Sequence, residues 1–98
     1  MNQRKANRLL AGTGYVCAGL TQKLNVRVLN EDGVLMFHSP NYEAAARRGL
    51  IRNAADTLGF EAYEKAKRAG EPVGETYTSF YRAAIPAARK WVKEQFGL

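Results

Sequence analysis

The chain has 98 residues, enough for one domain and too few for two, with a modest core that buries roughly 60–65% of the unfolded surface. Hydrophobic residues make up 46% and charged residues 24%, the balance of a folded domain, which argues against global disorder. Net charge is +6, favouring anionic partners, and the lone Cys17 excludes an intramolecular disulfide and suits a reducing compartment.

Residues 1–11 read as a basic N-terminal arm or a short helix over 3–11, carrying Arg4, Lys5 and Arg8 and ended by Gly12 and Gly14. Those glycines, with Thr13, break the stretch Leu9 to Leu20 and make it a poor signal-peptide core. No apolar run approaches the ~18 residues needed to cross a membrane, so a cytosolic protein is expected.

Tyr15 to Leu20 is a candidate strand, although Ala18 and Gly19 are poor strand formers. Next, Leu24, Val26 and Val28 alternate with Asn25 and Arg27. Asn30-Glu31-Asp32-Gly33 supplies a turn, and Val34 to His38 returns with Leu35 and Phe37 expected on one face. The expectation is a small antiparallel meander of two or three strands with one face buried.

Ser39 is the expected N-cap and Pro40 the first residue of a helix over 40–59. Tyr42, Ala45, Ala46, Gly49, Leu50, Ala54 and Leu58 form one apolar stripe. Gly49 on that stripe suggests a close backbone approach to the sheet, and Gly59 supplies a C-terminal stop. A short helix over Phe60 to Ala69 ends at Gly70, and Gly70-Glu71-Pro72-Val73-Gly74 is a loop. From Tyr77 a strong stripe follows: Phe80, Tyr81, Ala84, Ile85, Ala88, Trp91, Val92 and Phe96. It keeps its phase through Pro86, which favours a single helix kinked there and ended by Gly97. The fold class is therefore α+β, a single domain over 1–98. Its meander packs against three helices, with most aromatic residues in the helix-to-sheet core.

Catalytic parts are nearly absent. His38 is the only histidine, so any nucleophilic dyad or triad must use it. Its neighbour Ser39 points to the opposite side of an extended segment. Cys17 lacks any local group to lower its thiol pKa and reads as a small buried apolar residue. One Cys and one His give no metal-ligand cluster, and no cofactor is expected. Glu61 with Lys65 and Glu64 with Arg68 read as i,i+4 ion pairs on a solvated face, not as paired catalytic carboxylates. Gly12, Gly14 and Gly19 miss the dinucleotide fingerprint, because Cys17 holds the third glycine position.

What stands out is the charge distribution. Residues 1–23 carry +4 and residues 76–98 carry +3, while the residues between sum to −1. The candidate nucleic-acid or anion-binding groups are Arg4, Lys5 and Arg8 near the start and Arg47, Arg48 and Arg52 on the middle helix. Arg82, Arg89, Lys90 and Lys93 complete the set on the last helix. Residues 54–69 resemble a helix-turn-helix, with Ala55 and Gly59 four apart, but Lys65 stands where a buried residue is expected and Glu61 and Glu64 would repel phosphate. The hairpin, Phe37-His38-Ser39 and Glu43-Ala44-Ala45 have a layout similar to small three-stranded DNA-binding domains, with Arg27 as the one base reader on the sheet.

These features lead to a non-catalytic binding protein, first as a nucleic-acid-binding accessory protein acting through basic surfaces. The alternative is a small inhibitor or adaptor that docks on an acidic surface of a larger host protein complex, such as a defence system, a role for which compact virus- or mobile-element-type proteins are an analogy. A third reading is a protein that sequesters a small anionic nucleotide at a homo-oligomer interface.

Overall fold

The computed structural model describes residues 1–73 and 77–98. Its elements in chain order are α1 (Gln3–Leu9), β1 (Val16–Leu20), β2 (Val26–Leu29), β3 (Leu35–Ser39), α2 (Tyr42–Arg68) and α3 (Thr78–Phe96). The fold is α+β, with a three-stranded antiparallel sheet in the order β1-β2-β3 and three helices. Two compact units divide the chain, Met1–Leu50 and Ile51–Leu98, and α2 contributes residues to both. Of the expected loop beginning at Gly70, Gly74 lies outside the described residues.

In the first unit, Cys17 pairs with Val28 and Val28 with Phe37, and all three are buried on one face of the sheet. Arg27 pairs with His38 on the opposite, exposed face. Two register shifts bend the ladder. Between Cys17 and Leu20, β1 takes three steps while β2 takes two, and Gly19 within that shift has φ 89°, which a side chain would resist. On β3, Leu35 pairs with Leu29 although Phe37 pairs with Val28, so Met36 is the extra residue. That bulge breaks the strict alternation expected of the sequence. Leu35 therefore does not share the face of Phe37, and it is 45% exposed where Phe37 is 7% exposed.

The β2–β3 turn forms as the sequence implies. The Asn30 side-chain oxygen accepts from the backbone N–H of Asp32 at 2.9 Å and of Val34 at 3.0 Å, and the Gly33 N–H donates to the Asn30 carbonyl.

α2 starts later than expected. Ser39 ends β3 and is buried, and the capping oxygen belongs to Asn41, which accepts from the Ala44 N–H at 2.8 Å. The helix then runs unbroken through Gly59, so the two helices read over 40–59 and 60–69 are one, and the helix-turn-helix reading of 54–69 falls with the turn. The reason lies in the residues after Gly59. Phe60 to Arg68 holds good helix formers and no proline, whereas Gly70 closes the helix with paired bonds from Glu71 N–H to Ala66 O and Gly70 N–H to Lys67 O.

The expected single stripe on α2 also fails. Ala45, Ala46, Gly49 and Leu50 are buried in the first unit, and Ala55, Gly59 and Ala66 in the second. At about 100° per residue these sets occupy different rows of the helix, which leaves Leu58 exposed. A Cβ on Gly49 would meet the Leu10 side chain at 2.6 Å, so its close neighbour is that leucine and not the sheet backbone.

In the second unit, α3 is one element with Pro86 inside it, and Ala88 and Val92 are buried. Tyr63 meets Tyr77 and Phe80 edge-on, with ring centroids 6.2 and 5.6 Å away. The aromatic residues are not spent on a helix-to-sheet core: Trp91, Phe60 and Phe96 are exposed. No helix among the described residues is long and apolar enough to cross a membrane.

Candidate nucleic-acid interface

α1 is short, and its two faces carry different chemistry. Asn2 caps it, accepting from the Lys5 N–H at 2.9 Å. The inward side presents Gln3, Ala6 and Asn7, followed by Leu10, and both Ala6 and Leu10 are buried. Asn7 binds the outer edge of β1 as a neighbouring strand would. Its Nδ2 donates to the Cys17 carbonyl at 3.1 Å, and its Oδ1 accepts from the Cys17 N–H at 2.7 Å. One turn earlier, the Gln3 Oε1 accepts from the Gly19 N–H at 3.1 Å and from the Tyr42 hydroxyl at 3.2 Å. These bonds cover polar groups that an edge strand would otherwise expose. They also fix the helix by its inner face.

Arg4, Lys5 and Arg8 occupy the other side of α1, all exposed, and with Met1 and Asn2 they line an open depression. Among the described residues no carboxylate lies within 4.0 Å of any of the three. Solvent or a bound anion relieves the repulsion between them.

The remaining predicted groups divide. Arg47 is exposed. Arg48 is exposed, but its guanidinium lies over the Phe37 ring, 4.4 Å from the centre, so it is not simply an open anion contact. Arg52 is half-buried in the second unit. On α3, Arg82, Arg89 and Lys93 are exposed at i, i+7 and i+11, which places them along one line of the helix. Lys90 points elsewhere, its Nζ 4.0 Å from the Glu94 carboxylate, an exposed pair of small energetic weight. Neither Glu61–Lys65 nor Glu64–Arg68 closes to within 4.0 Å, so the ion pairs expected on α2 are not formed. Arg27 is exposed on the outer sheet face and reaches the Ala18 carbonyl at 3.5 Å.

Sequence reasoning missed one feature of the second unit. Asn53, Ala54, Thr57, Leu58, Ala87 and Trp91 line a groove of about 380 Å³ between α2 and α3. Trp91 is 45% exposed, and its ring meets Phe96 edge-on at 5.7 Å. The available signal was angular: Trp91 stands about 100° around the helix from Val92, at the margin of the stripe and not on its centre line.

Cys17 and His38 lie on opposite faces of the sheet, as their partners Val28 and Arg27 require, so they do not form a dyad. Burial pushes the Cys17 thiol above its ordinary pKa, away from the thiolate a nucleophile needs. Among the described residues no group of three or more His, Cys, Asp or Glu side chains is placed to hold a metal ion.

The class that fold and surface define is a small α+β protein with an anchored basic helix. No family model, curated protein or solved structure matches the chain.

Proposed function

We propose that the chain is a non-catalytic, intracellular nucleic-acid-binding protein that grips the phosphate backbone through Arg4, Lys5 and Arg8 of α1, with the Arg82–Arg89–Lys93 line as a second contact. One observation carries this reading: three exposed cations, with no carboxylate within 4.0 Å among the described residues, stand on a helix held in place by its opposite face. Anchoring matters because pre-placed charges lose less side-chain and backbone freedom on binding. Contacts of this kind neutralise phosphates and release counterions, so affinity falls steeply with salt. Binding to labelled single- and double-stranded DNA and RNA at two salt concentrations tests the reading. Absence of binding to any of them at low salt rejects it.

The exposed Val16, Leu35 and Met36 around the sheet support a second reading, an adaptor or inhibitor docking on another protein. Recovery of the same partner protein from lysate before and after nuclease treatment would favour it over the first.

A further inference from the structure

Resting on the nucleic-acid reading, we infer that Leu24, in the loop between β1 and β2, is a wedge that parts a base step of duplex DNA, so that the ligand is a kinked duplex. Leu24 is 70% exposed and has φ 63°, the only residue other than glycine with a positive φ among the described residues. A bulky side chain crowds the backbone in that region. Hydrogen bonds leave the loop little choice. The Leu24 N–H donates to the Thr21 carbonyl at 2.9 Å, the Thr21 N–H to the Asn25 carbonyl at 2.8 Å, and the Asn25 N–H to Thr21 Oγ1 at 3.1 Å. A hairpin loop of this form ends on a left-handed residue, the place where glycine is at no disadvantage. Leucine there contributes neither burial nor an easy conformation to the fold. What it adds is an apolar side chain held in solvent on a braced loop, and backbone strain of this kind collects at ligand-contacting sites.

Size narrows the occupant. The other loop residues, Thr21, Gln22, Lys23 and Asn25, are polar. Leu20 pairs with Val26 and so belongs to the buried side of the sheet. One side chain falls far short of the roughly 800 Å² that each partner gives to a stable protein interface. Attachment to a bilayer surface likewise scales with apolar area. A base step is different, because a single apolar side chain can enter it from the minor groove, unstack it and kink the duplex. A single strand has no paired step to part, and leucine offers no ring on which its bases stack.

Charge agrees. Residues 1–30 hold Arg4, Lys5, Arg8, Lys23 and Arg27 and no acidic residue. Glu31 and Asp32 lie in the β2–β3 turn, at the opposite end of the sheet from Leu24. The Gln3 bond to Gly19 sets the start of α1 beside the end of β1 that leads into the loop, so Arg4 and Lys5 come to the same end as Lys23. Glu43, in the first turn of α2, is the opposing charge at that end. Three cations against one carboxylate favour the phosphates that flank a parted step.

The test titrates the whole chain with two end-labelled duplexes that carry a fluorescent adenine analogue, one beside a central TpA step and one within an A-tract. Label anisotropy reports binding, and analogue emission rises when the step unstacks. TpA steps kink easily and A-tracts are stiff, so the parent should raise the emission of the first duplex and bind it more tightly than the second. Leu24→Gly should lose both the emission rise and the preference, while its urea midpoint stays level or rises, which separates a lost wedge from a lost fold. Leu24→Met, which keeps a long apolar side chain, should retain the rise. Duplex binding with no rise for the parent, or with an equal rise for Leu24→Gly, overturns the wedge and leaves the nucleic-acid reading in place. Leucine-dependent binding to phosphatidylserine vesicles without unstacking of either duplex overturns it in favour of a lipid surface. No binding at low salt to either duplex or to their separated strands removes both the wedge and the nucleic-acid reading.

Discussion

The backbone of Tyr81 runs so close to Gly59 that a Cβ on that glycine would lie 2.9 Å from the Tyr81 Cα and 3.0 Å from its nitrogen. Both atoms belong to α3 and do not swing aside. Gly59→Ala should therefore destabilise the protein by about 1–3 kcal/mol, an overpacking cost that outweighs the gain of about 1 kcal/mol in helix propensity. Gly49→Ala differs, because its obstruction is the end of the Leu10 side chain, which turns more readily. Denaturant midpoints of the two variants should rank Gly59→Ala as the more damaging.

The same two glycines mark how far the sequence is legible. Periodicity, turn chemistry and the hairpin residues Asn30 to Gly33 are enough for the sheet, the helices and the α+β class. The roles of Gly49 and Gly59 are not readable in that way. Spacing points to Gly49 as the close approach to the sheet and to Gly59 as the stop, but a glycine ends a helix only when its neighbours favour ending it. The bulge at Met36 and the change of buried row along α2 arise from tertiary contacts, so strict spacing places Leu35 and Leu58 on buried faces. The cations of the candidate surface are all visible in the sequence. Which of them have other commitments, as Arg48 does over Phe37, depends on a strand and a helix meeting.

Asn7 acts as a one-residue strand on the edge of β1. Asn7→Leu should remove both bonds to Cys17 and leave that edge open, at a cost of about 1–3 kcal/mol. The uncovered strand should also pair with other chains. A lower urea midpoint together with concentration-dependent elution in size-exclusion chromatography is the expected outcome.

The Tyr77 hydroxyl donates to the Asp56 carboxylate at 2.7 Å and also to the Asp56 carbonyl. Desolvation, then the hydrogen bond to Asp56, push the phenol from its ordinary value near 10 up to about 12. The folded protein thus keeps a proton that the unfolded chain has lost. This group's contribution to stability is complete below pH about 10 and disappears as pH rises to about 12. Tyr77→Phe should be less stable at neutral pH by about 0.5–1.5 kcal/mol. It should also lose less stability than the parent between about pH 9 and about pH 11, as read from urea midpoints at both.

Arg47 and Arg48 are adjacent in the chain but differ in what they touch. Arg48→Ala should lower stability by about 0.5–1 kcal/mol through the lost contact with the Phe37 ring. Arg47→Ala should leave the thermal midpoint nearly unchanged. Melting curves of the two single variants check the contrast.

The most direct measurement is the salt dependence of nucleic-acid affinity for the parent chain and for the triple variant Arg4→Gln, Lys5→Gln, Arg8→Gln. Each phosphate neutralised contributes a slope of about 0.7–0.9 in log affinity against log salt. The triple variant should bind more weakly at low salt, with a slope shallower by about two to three. Equal affinity and equal slope for the two proteins would contradict a phosphate grip by α1.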